Sequence, residues 1–310
     1  MHNSNLKKTI LVTGGCGFIG SHTVDLLCQS GYNVIVADIV SPKYKNEKAK
    51  YYQLDIASSD TERIFIENNI DVIIHLAAQV SVSVSNRIPL EDAHNNIIGS
   101  INIIELAKKY NVKKIIASSS AALYGSPQYY PVDETHPTFY LSPYAISKHA
   151  MEEYIKISGI DYLIYRFSNV YGPRQDSKGE AGVVSIFIDR MISNLPVEIN
   201  GTGNQTRDFI YVKDIVNAIL LGLKSDICNE TINISANTEC TINELFEIIK
   251  NFTAYKLKPH YTPERIGDIY RSVLDNKKAK KLLRFEPGTS LEEGLSKTII
   301  FFSKRRYVNA

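Results

Sequence analysis

The sequence predicts an α/β fold, a doubly wound parallel sheet with a smaller C-terminal α/β lobe, and three observations predict it. Through the first half, short apolar runs alternate with stretches of helical periodicity, the pattern of a parallel sheet with helices on both faces. A glycine-rich turn joins the first apolar run to the first helical stretch. The second apolar run closes on an acid, Asp38, about 20 residues beyond that turn.

Taken in order, the short and mostly apolar runs 9–12, 33–37, 50–53, 72–76, 114–118 and 162–167 are predicted strands. Between them, 18–30, 60–68, 91–110 and 143–158 carry the period of a helix. Ser142-Pro143 reads as an N-cap and first helical residue. Beyond residue 170 the pattern loosens: 179–182 and 201–204 are turn-rich, and 255–270 has little periodicity. Helices are expected there at 183–193, 212–223, 241–251 and 277–283. The expected domains are 1–168 with 203–230, which hold a dinucleotide, and 169–202 with 231–310, which hold a substrate.

In Ile10-Leu11-Val12-Thr13-Gly14-Gly15-Cys16-Gly17-Phe18-Ile19-Gly20, Gly14 allows a tight turn, Gly17 lets backbone approach a pyrophosphate, and Gly20 lets helix pack on strand. The helix N-terminus then faces the phosphates with free N–H groups. The Asp38 carboxylate suits ribose hydroxyls and repels a 2′-phosphate, so NAD is expected over NADP on a Rossmann-like sheet. Asp55-Ile56, after the third strand, would bracket an adenine. Leu76, Ala77 and Ala78 leave room for a flat cofactor after the fourth. His75 reads as a satisfied core histidine.

Tyr144 and Lys148 stand at i and i+4 on one face of the helix 143–158. That spacing alone says little, for it recurs at Tyr44…Lys48 and Tyr110…Lys114. What distinguishes Tyr144 is the upstream strand 114–118, which runs out through Ser118 and Ser119 to Ser120. A phenol, an ammonium and a hydroxyl together move a proton on and off an alcohol. A free phenol loses its proton only at about pH 10. Lys148 and a positive nicotinamide are expected to lower that by about three units, roughly 4 kcal/mol in favour of phenolate. Lys148 is expected also to hold the nicotinamide ribose, and Ser120 the reacting hydroxyl.

The net charge of +2 argues against nucleic acid as a partner, and the terminal Lys304-Arg305-Arg306 reads as a solvated helix end. The four cysteines lack the spacing of a zinc or redox motif, and no metal is expected. No apolar stretch reaches the roughly 20 residues that span a bilayer. Residues 1–8 are too polar and short for a signal peptide. A cytoplasmic location without membrane contact is therefore expected.

The stretches 13–22, 75–78, 118–125, 144–148, 166–174 and 206–214 together resemble the extended short-chain dehydrogenase/reductase superfamily. Within it the resemblance is to the NAD-dependent epimerase/dehydratase family, and most closely to its UDP-glucose 4-epimerases. This implies 4-epimerisation of a UDP-hexose by transient oxidation at C4, with Ser120, Tyr144 and Lys148 catalytic. It assigns Phe18, Ile19, Asn96 and Ser118 to NAD, beside the residues named above. It assigns Asn169, Val183, Arg207 and Arg265 to the sugar nucleotide, and Asp268 to the uridine ribose. The dehydratases of the family carry an acid before Tyr-Gly. This chain has Ala121-Ala122 before Tyr124-Gly125, which favours an epimerase.

The family's gate for N-acetyl groups falls on Ser272, a small residue close to Tyr270, so UDP-GlcNAc/UDP-GalNAc stand beside UDP-Glc/UDP-Gal as expected substrates. Gln79-Val80-Ser81-Val82 departs from the family, where many members have a lysine. Other readings are a UDP-glucuronate 4-epimerase, a 4-keto reductase, or a regulator that binds NAD without catalysis. The resemblance also implies a homodimer paired through helices 91–110 and 143–158.

Overall fold

The computed structural model describes residues 7–177, 182–264 and 269–309. Two compact units divide the chain. The first comprises Met1–Leu123, Ser142–Arg166 and Val216–Ile232; the second comprises Tyr124–Leu141, Phe167–Ile215 and Asn233–Ala310.

The first unit follows the strand–helix alternation of the sequence. Its strands are β1 (Thr9–Thr13), β2 (Asn33–Asp38), β3 (Ala49–Gln53), β4 (Val72–His75), β5 (Lys114–Ser120) and β6 (Asp161–Phe167). Its helices are α1 (Phe18–Gln29), α2 (Glu62–Glu67), α3 (Val82–Arg87), α4 (Pro89–Ala93), α5 (Gly99–Lys109) and α6 (Pro143–Lys156). The strand Glu230–Ile234 completes a seven-stranded sheet in which it lies outside β6, followed by β5, β4, β1, β2 and β3. Ile10, Leu11, Val12, Ile73 and Ile74 are fully buried, as a parallel sheet covered on both faces requires.

The order of strands reverses between β1 and β4, and there the carboxyl ends are level. Thr13 pairs with Ala37 on one side and with His75 on the other, and His75 pairs with Ala117. Ligands of open α/β sheets bind outside the carboxyl ends at such a switch point. At the opposite end of β5, the half-buried Lys114 carries Nζ to the carbonyls of Gly222 at 2.9 Å and Ile227 at 2.7 Å. This bolts the end of the helix Val212–Lys224 to the sheet.

Several elements depart from expectation. The helix expected at 91–110 is α4 and α5 joined by a π-helical turn, His94–Ile98. The helix α3 was not expected; it starts where Ser81 Oγ accepts the amide of Val84 at 3.0 Å, a cap that apolar periodicity does not reveal. The stretch 60–68 opens as a 3₁₀ turn, Ser59–Thr61, before α2.

In the second unit, Asn169–Tyr171 pairs in parallel with Phe209–Tyr211, and Thr206–Arg207 pairs antiparallel with Cys240–Thr241. Glu198–Asn200 pairs in parallel with His260–Thr262. The helix Ile242–Thr253 begins with a complete capping box between Thr241 and Glu244. Of the helix Leu291–Asn309 only the end at 304–306 was anticipated, not where it starts. Segments 124–141 and 203–215 belong to this unit and not to the first, as the sequence had suggested for both. Tyr124 Oη donates to Asn233 Oδ1 at 2.7 Å, Val132 bridges Leu274, and residues 209–211 pair with 169–171.

Candidate active site

The turn after β1 is built by backbone contacts. Gly14 has φ +70, and a Cβ on it would lie 2.6 Å from the amide nitrogen of Ala77. A Cβ on Gly20 would overlap the Gly14 carbonyl oxygen, and Gly17 stands exposed between them. No side chain caps α1 and its first turn has no acid, so its free N–H groups face an electrically open space. Asp38 is oriented from both sides: Oδ2 accepts the amide of Cys16 at 2.9 Å and Oδ1 that of Val40 at 3.1 Å. A bare turn, an uncapped helix start and a fixed carboxylate are what a dinucleotide's pyrophosphate and ribose require, so these residues fit NAD.

Around this turn the structure gathers the expected cofactor residues of the first unit. Ala77 donates its amide to Thr13 Oγ1 at 3.3 Å, and Ser118 Oγ reaches the His75 carbonyl at 3.4 Å. Asp55 is engaged with the amide of Ala57 at 2.8 Å and with His94 at 3.4 Å, and Ile56 is buried beside it. Asn96 is fully buried in the π-helical turn. Its Oδ1 accepts the Gln79 amide at 2.8 Å, and its Nδ2 faces Ser147 Oγ at 3.0 Å. His75 is a core histidine, as expected, held between Thr13 Oγ1 at 2.8 Å and Ser100 Oγ at 2.9 Å.

Tyr144 and Lys148 lie inside α6, buried on one face. Ser142 caps the helix by accepting the Ala145 amide at 3.2 Å, and Pro143 opens it. Ser120, the last residue of β5, accepts the Ala122 amide at 3.1 Å and stands near enough to the Tyr144 phenol to lower its pKa. Lys148 Nζ touches Met151 Sδ at 3.9 Å. One turn further on, the fully buried Glu152 takes a forked pair from Arg166, Nε at 2.9 Å and Nη2 at 2.7 Å.

The electrostatics differ from expectation in one respect. Burial pushes the Tyr144 phenol up, against the Ser120 bond that lowers it, and the charge of Asp92 adds to the rise. Burial pulls Lys148 down to about 8, while Glu152 and Asp92 hold it up. The expected lowering of the phenol is therefore not supplied by the protein's own groups, because desolvation of a phenolate outweighs the hydrogen bond. Burial alone would raise Glu152, but the Arg166 pair reverses this and keeps its carboxyl low.

The two look-alike pairs separate cleanly. Tyr110 donates to Glu62 at 2.8 Å, and Lys114 is committed to backbone carbonyls. Tyr44, in the segment between β2 and β3, has the Lys43 ammonium over its ring at 6.0 Å.

In the second unit, the Asn169 amide donates to the Asp208 carbonyl at 2.9 Å, which places it beside Arg207. Arg207 Nη1 donates to the Thr206 carbonyl at 2.8 Å, and Thr206 forms a bridge with Arg271, next to Ser272. Ser272 is half-buried, and Val183 starts the helix Val183–Ile192 behind Gly182. Arg265 and Asp268 lie outside the described residues.

Sequence reasoning missed Gln79 as a partner of Asn96, the buried Asp92, and the pair Glu152–Arg166. The i to i+4 step from Lys148 to Glu152, an acid on the face already assigned inward, was the available signal for the last.

Fold and site define an NAD-dependent enzyme. The chain belongs to the NAD dependent epimerase/dehydratase family, whose model matches residues 10–235. It is 47% identical over 298 residues to a putative UDP-glucose 4-epimerase of Methanocaldococcus jannaschii, covering 94% of this chain and 97% of that one. It resembles a crystal structure of Thermotoga maritima UDP-glucose 4-epimerase with UDP-glucose, at a TM-score of 0.94 and 44% identity, over 96% and 99% of the two chains. It also resembles a UDP-N-acetylglucosamine 4-epimerase from Methanobrevibacter ruminantium in complex with UDP-N-acetylmuramic acid. There the TM-score is 0.90 and the identity 36%, over 96% and 99% of the chains. No helix among the described residues is long and apolar enough to cross a membrane.

Proposed function

We propose that the protein interconverts UDP-hexoses at C4 by transient oxidation. The observation that carries this reading is that Tyr144 and Lys148 lie buried one helical turn apart on one face of α6, with Ser120 near enough to lower the phenol's pKa. Bound NAD supplies the acceptor and donor of the C4 hydride.

The rest is done by side chains. Tyr144 takes the proton from the C4 hydroxyl and later returns it, with Ser120 bonding the same oxygen. Lys148 holds the cofactor's ribose and favours the phenolate. Asn169, Arg207 and Arg265 anchor the nucleotide diphosphate, Asp268 the uridine ribose, and Val183 lines the substrate site. Anchoring the diphosphate and not the sugar leaves the 4-keto ring able to turn over between the two half-reactions. The first unit carries the cofactor chemistry in this reading, and the second carries the sugar nucleotide.

The relatives' names support UDP-glucose as one substrate. The small, half-buried Ser272, together with the N-acetylglucosamine epimerase among the similar structures, supports UDP-GlcNAc as another. A homodimer is part of the proposal, supported by exposed apolar side chains on the helices expected to pair: Ile98, Ile146, Tyr154 and Ile157. The free cysteines fit a reducing cytoplasm.

The deciding experiment incubates the enzyme with UDP-glucose and with UDP-GlcNAc and resolves the products by chromatography. Conversion of at least one, lost in Tyr144→Phe, is expected. No conversion of either, or full activity in Tyr144→Phe, would overturn the reading.

A further inference from the structure

Asp92, in α4, is a carboxylate with 1% exposure. Among the described residues no cation lies within ion-pair distance of it. Its Oδ1 instead accepts two amides, Gln79 Nε2 at 2.9 Å and Asn96 Nδ2 at 3.1 Å. Asn96 passes the connection on. Its Nδ2 also faces Ser147 Oγ at 3.0 Å, and Ser147 Oγ donates to the backbone carbonyl of Tyr144 at 3.1 Å. Gln79, in turn, gives its own amide to Asn96 Oδ1 at 2.8 Å and its Nε2 to the Ser81 carbonyl at 2.9 Å. The result is a closed clasp between the segment after β4 and the first turn of α6.

Lys148 presents the complementary case. It is 3% exposed, and among the described residues no carboxylate is within ion-pair distance of its Nζ. The titratable and charged groups that face it are Tyr144 and Glu152 on α6, Asp92 on α4 and His75 on β4. Glu152 is committed to Arg166 of β6, with Lys156 a further 3.6 Å contact, and the buried His75 is neutral. Glu152 and, after it, Asp92 both hold the Lys148 charge up. Glu152 already faces Arg166 and Lys156, so Asp92 is the one of these two carboxylates with no cation at ion-pair distance among the described residues. An ion pair in direct contact would occupy the N–H donors of Lys148. A carboxylate tethered by two amides balances the charge and leaves those donors available.

We propose that Asp92 is a positioning residue for the reaction: its buried carboxylate holds the turn of α6 that carries Tyr144, and it is the counter-charge that keeps the Lys148 ammonium in place without touching it. The proposal deepens the epimerase reading, and rests on it for the role of Lys148.

The test is a titration of the NAD-loaded enzyme labelled with ¹³C-lysine, following the ε-carbon resonance of Lys148, identified by its absence in Lys148→Arg. In Asp92→Asn, which keeps the shape and removes the charge, the midpoint is expected to fall by about one unit. The alkaline limb of kcat/KM should move down with it, and KM at the optimum should stay unchanged. Asp92→Ala removes charge and clasp together, so the midpoint must fall as far and kcat must drop at every pH. Asp92→Glu, which restores the charge, must bring the midpoint back. A wild-type midpoint in both Asp92→Asn and Asp92→Ala, or a midpoint that Asp92→Glu leaves low, overturns the proposal. The titration needs no turnover, so it can fail while the epimerase assay succeeds, and the reverse.

Discussion

Ser100 donates its hydroxyl proton to the carbonyl of Asn96 at 2.6 Å, and that bond fixes the state of His75. Because the Ser100 hydrogen is committed, the 2.9 Å contact must be donated by His75 Nε2, so Nδ1 accepts from Thr13 Oγ1. The ring is a neutral link, and burial, with the Lys148 charge behind it, pushes its pKa from 6.5 down to about 3. Between those two values the unfolded chain holds a proton that the folded chain does not. Stability therefore rises with pH across this window and is lost as pH falls from 6.5 toward 3, at about 1.4 kcal/mol per unit. His75→Gln should lack this part of the acid sensitivity. Urea unfolding from pH 7 down to pH 4 measures it, and an unchanged slope would refute the assignment.

Tyr144→Phe removes the proton-carrying oxygen and little else, since the ring is buried and keeps its place in α6. Turnover should fall by on the order of 10²–10⁴-fold, with NAD content and melting temperature close to wild type. Ser120→Ala keeps the phenol and should lose less. A Tyr144→Phe enzyme that has also lost its NAD would mean the residue is chiefly structural.

Gly20 and Gly17 make a paired test of the cofactor turn. A methyl on Gly20 overlaps backbone at Gly14, which cannot yield without opening the turn. A methyl on Gly17 meets that same oxygen at 3.3 Å from an exposed position. Gly20→Ala should cost about 1–3 kcal/mol or more and abolish NAD retention. Gly17→Ala should fold normally and weaken NAD alone. Thermal melts and cofactor content after gel filtration separate the two outcomes.

Arg166→Met leaves Glu152 as a buried, largely uncompensated carboxylate, with only Lys156 at 3.6 Å. A loss of about 3–5 kcal/mol is expected. Adding Glu152→Gln should recover much of it, and a double variant no more stable than the single one would show that the pair is not coupled.

Six strands of the sheet and its glycine turn were legible because parallel strands buried on both faces read as plain apolar runs, and Gly14, Gly17 and Gly20 are dictated by backbone approach; the strand order and the seventh strand, Glu230–Ile234, were not. Tyr144, Lys148 and Ser120 were legible through their order along the chain. What stayed hidden was polar and buried. Nothing in the sequence separates Asp92, wholly enclosed, from Glu91 beside it, which is exposed. The π-helical turn that aims Asn96 inward breaks a period that otherwise runs on through 91–110. The helix Leu291–Asn309 carries apolar and charged residues with almost no sidedness, so periodicity could not mark it. The direction of the Tyr144 shift was missed for a different reason: spacing shows which groups are near, but not how much water each loses.

The placement of the strand Glu230–Ile234 outside β6 has a consequence for how the molecule is made. Leu163, Ile164 and Tyr165 of β6 are completely enclosed, yet that strand is flanked on one side by a segment synthesised long after it. A nascent chain that has released β1 to β6 still exposes one unpaired edge of its most apolar sheet, and the clamp from Lys114 has as yet no carbonyls to grip. The segment Phe167–Ile215 of the second unit leaves the ribosome in that interval. Cutting the chain after β6 would leave six of the seven strands with an open edge, so the cofactor half can be completed only by a ribosome that has already translated part of the other.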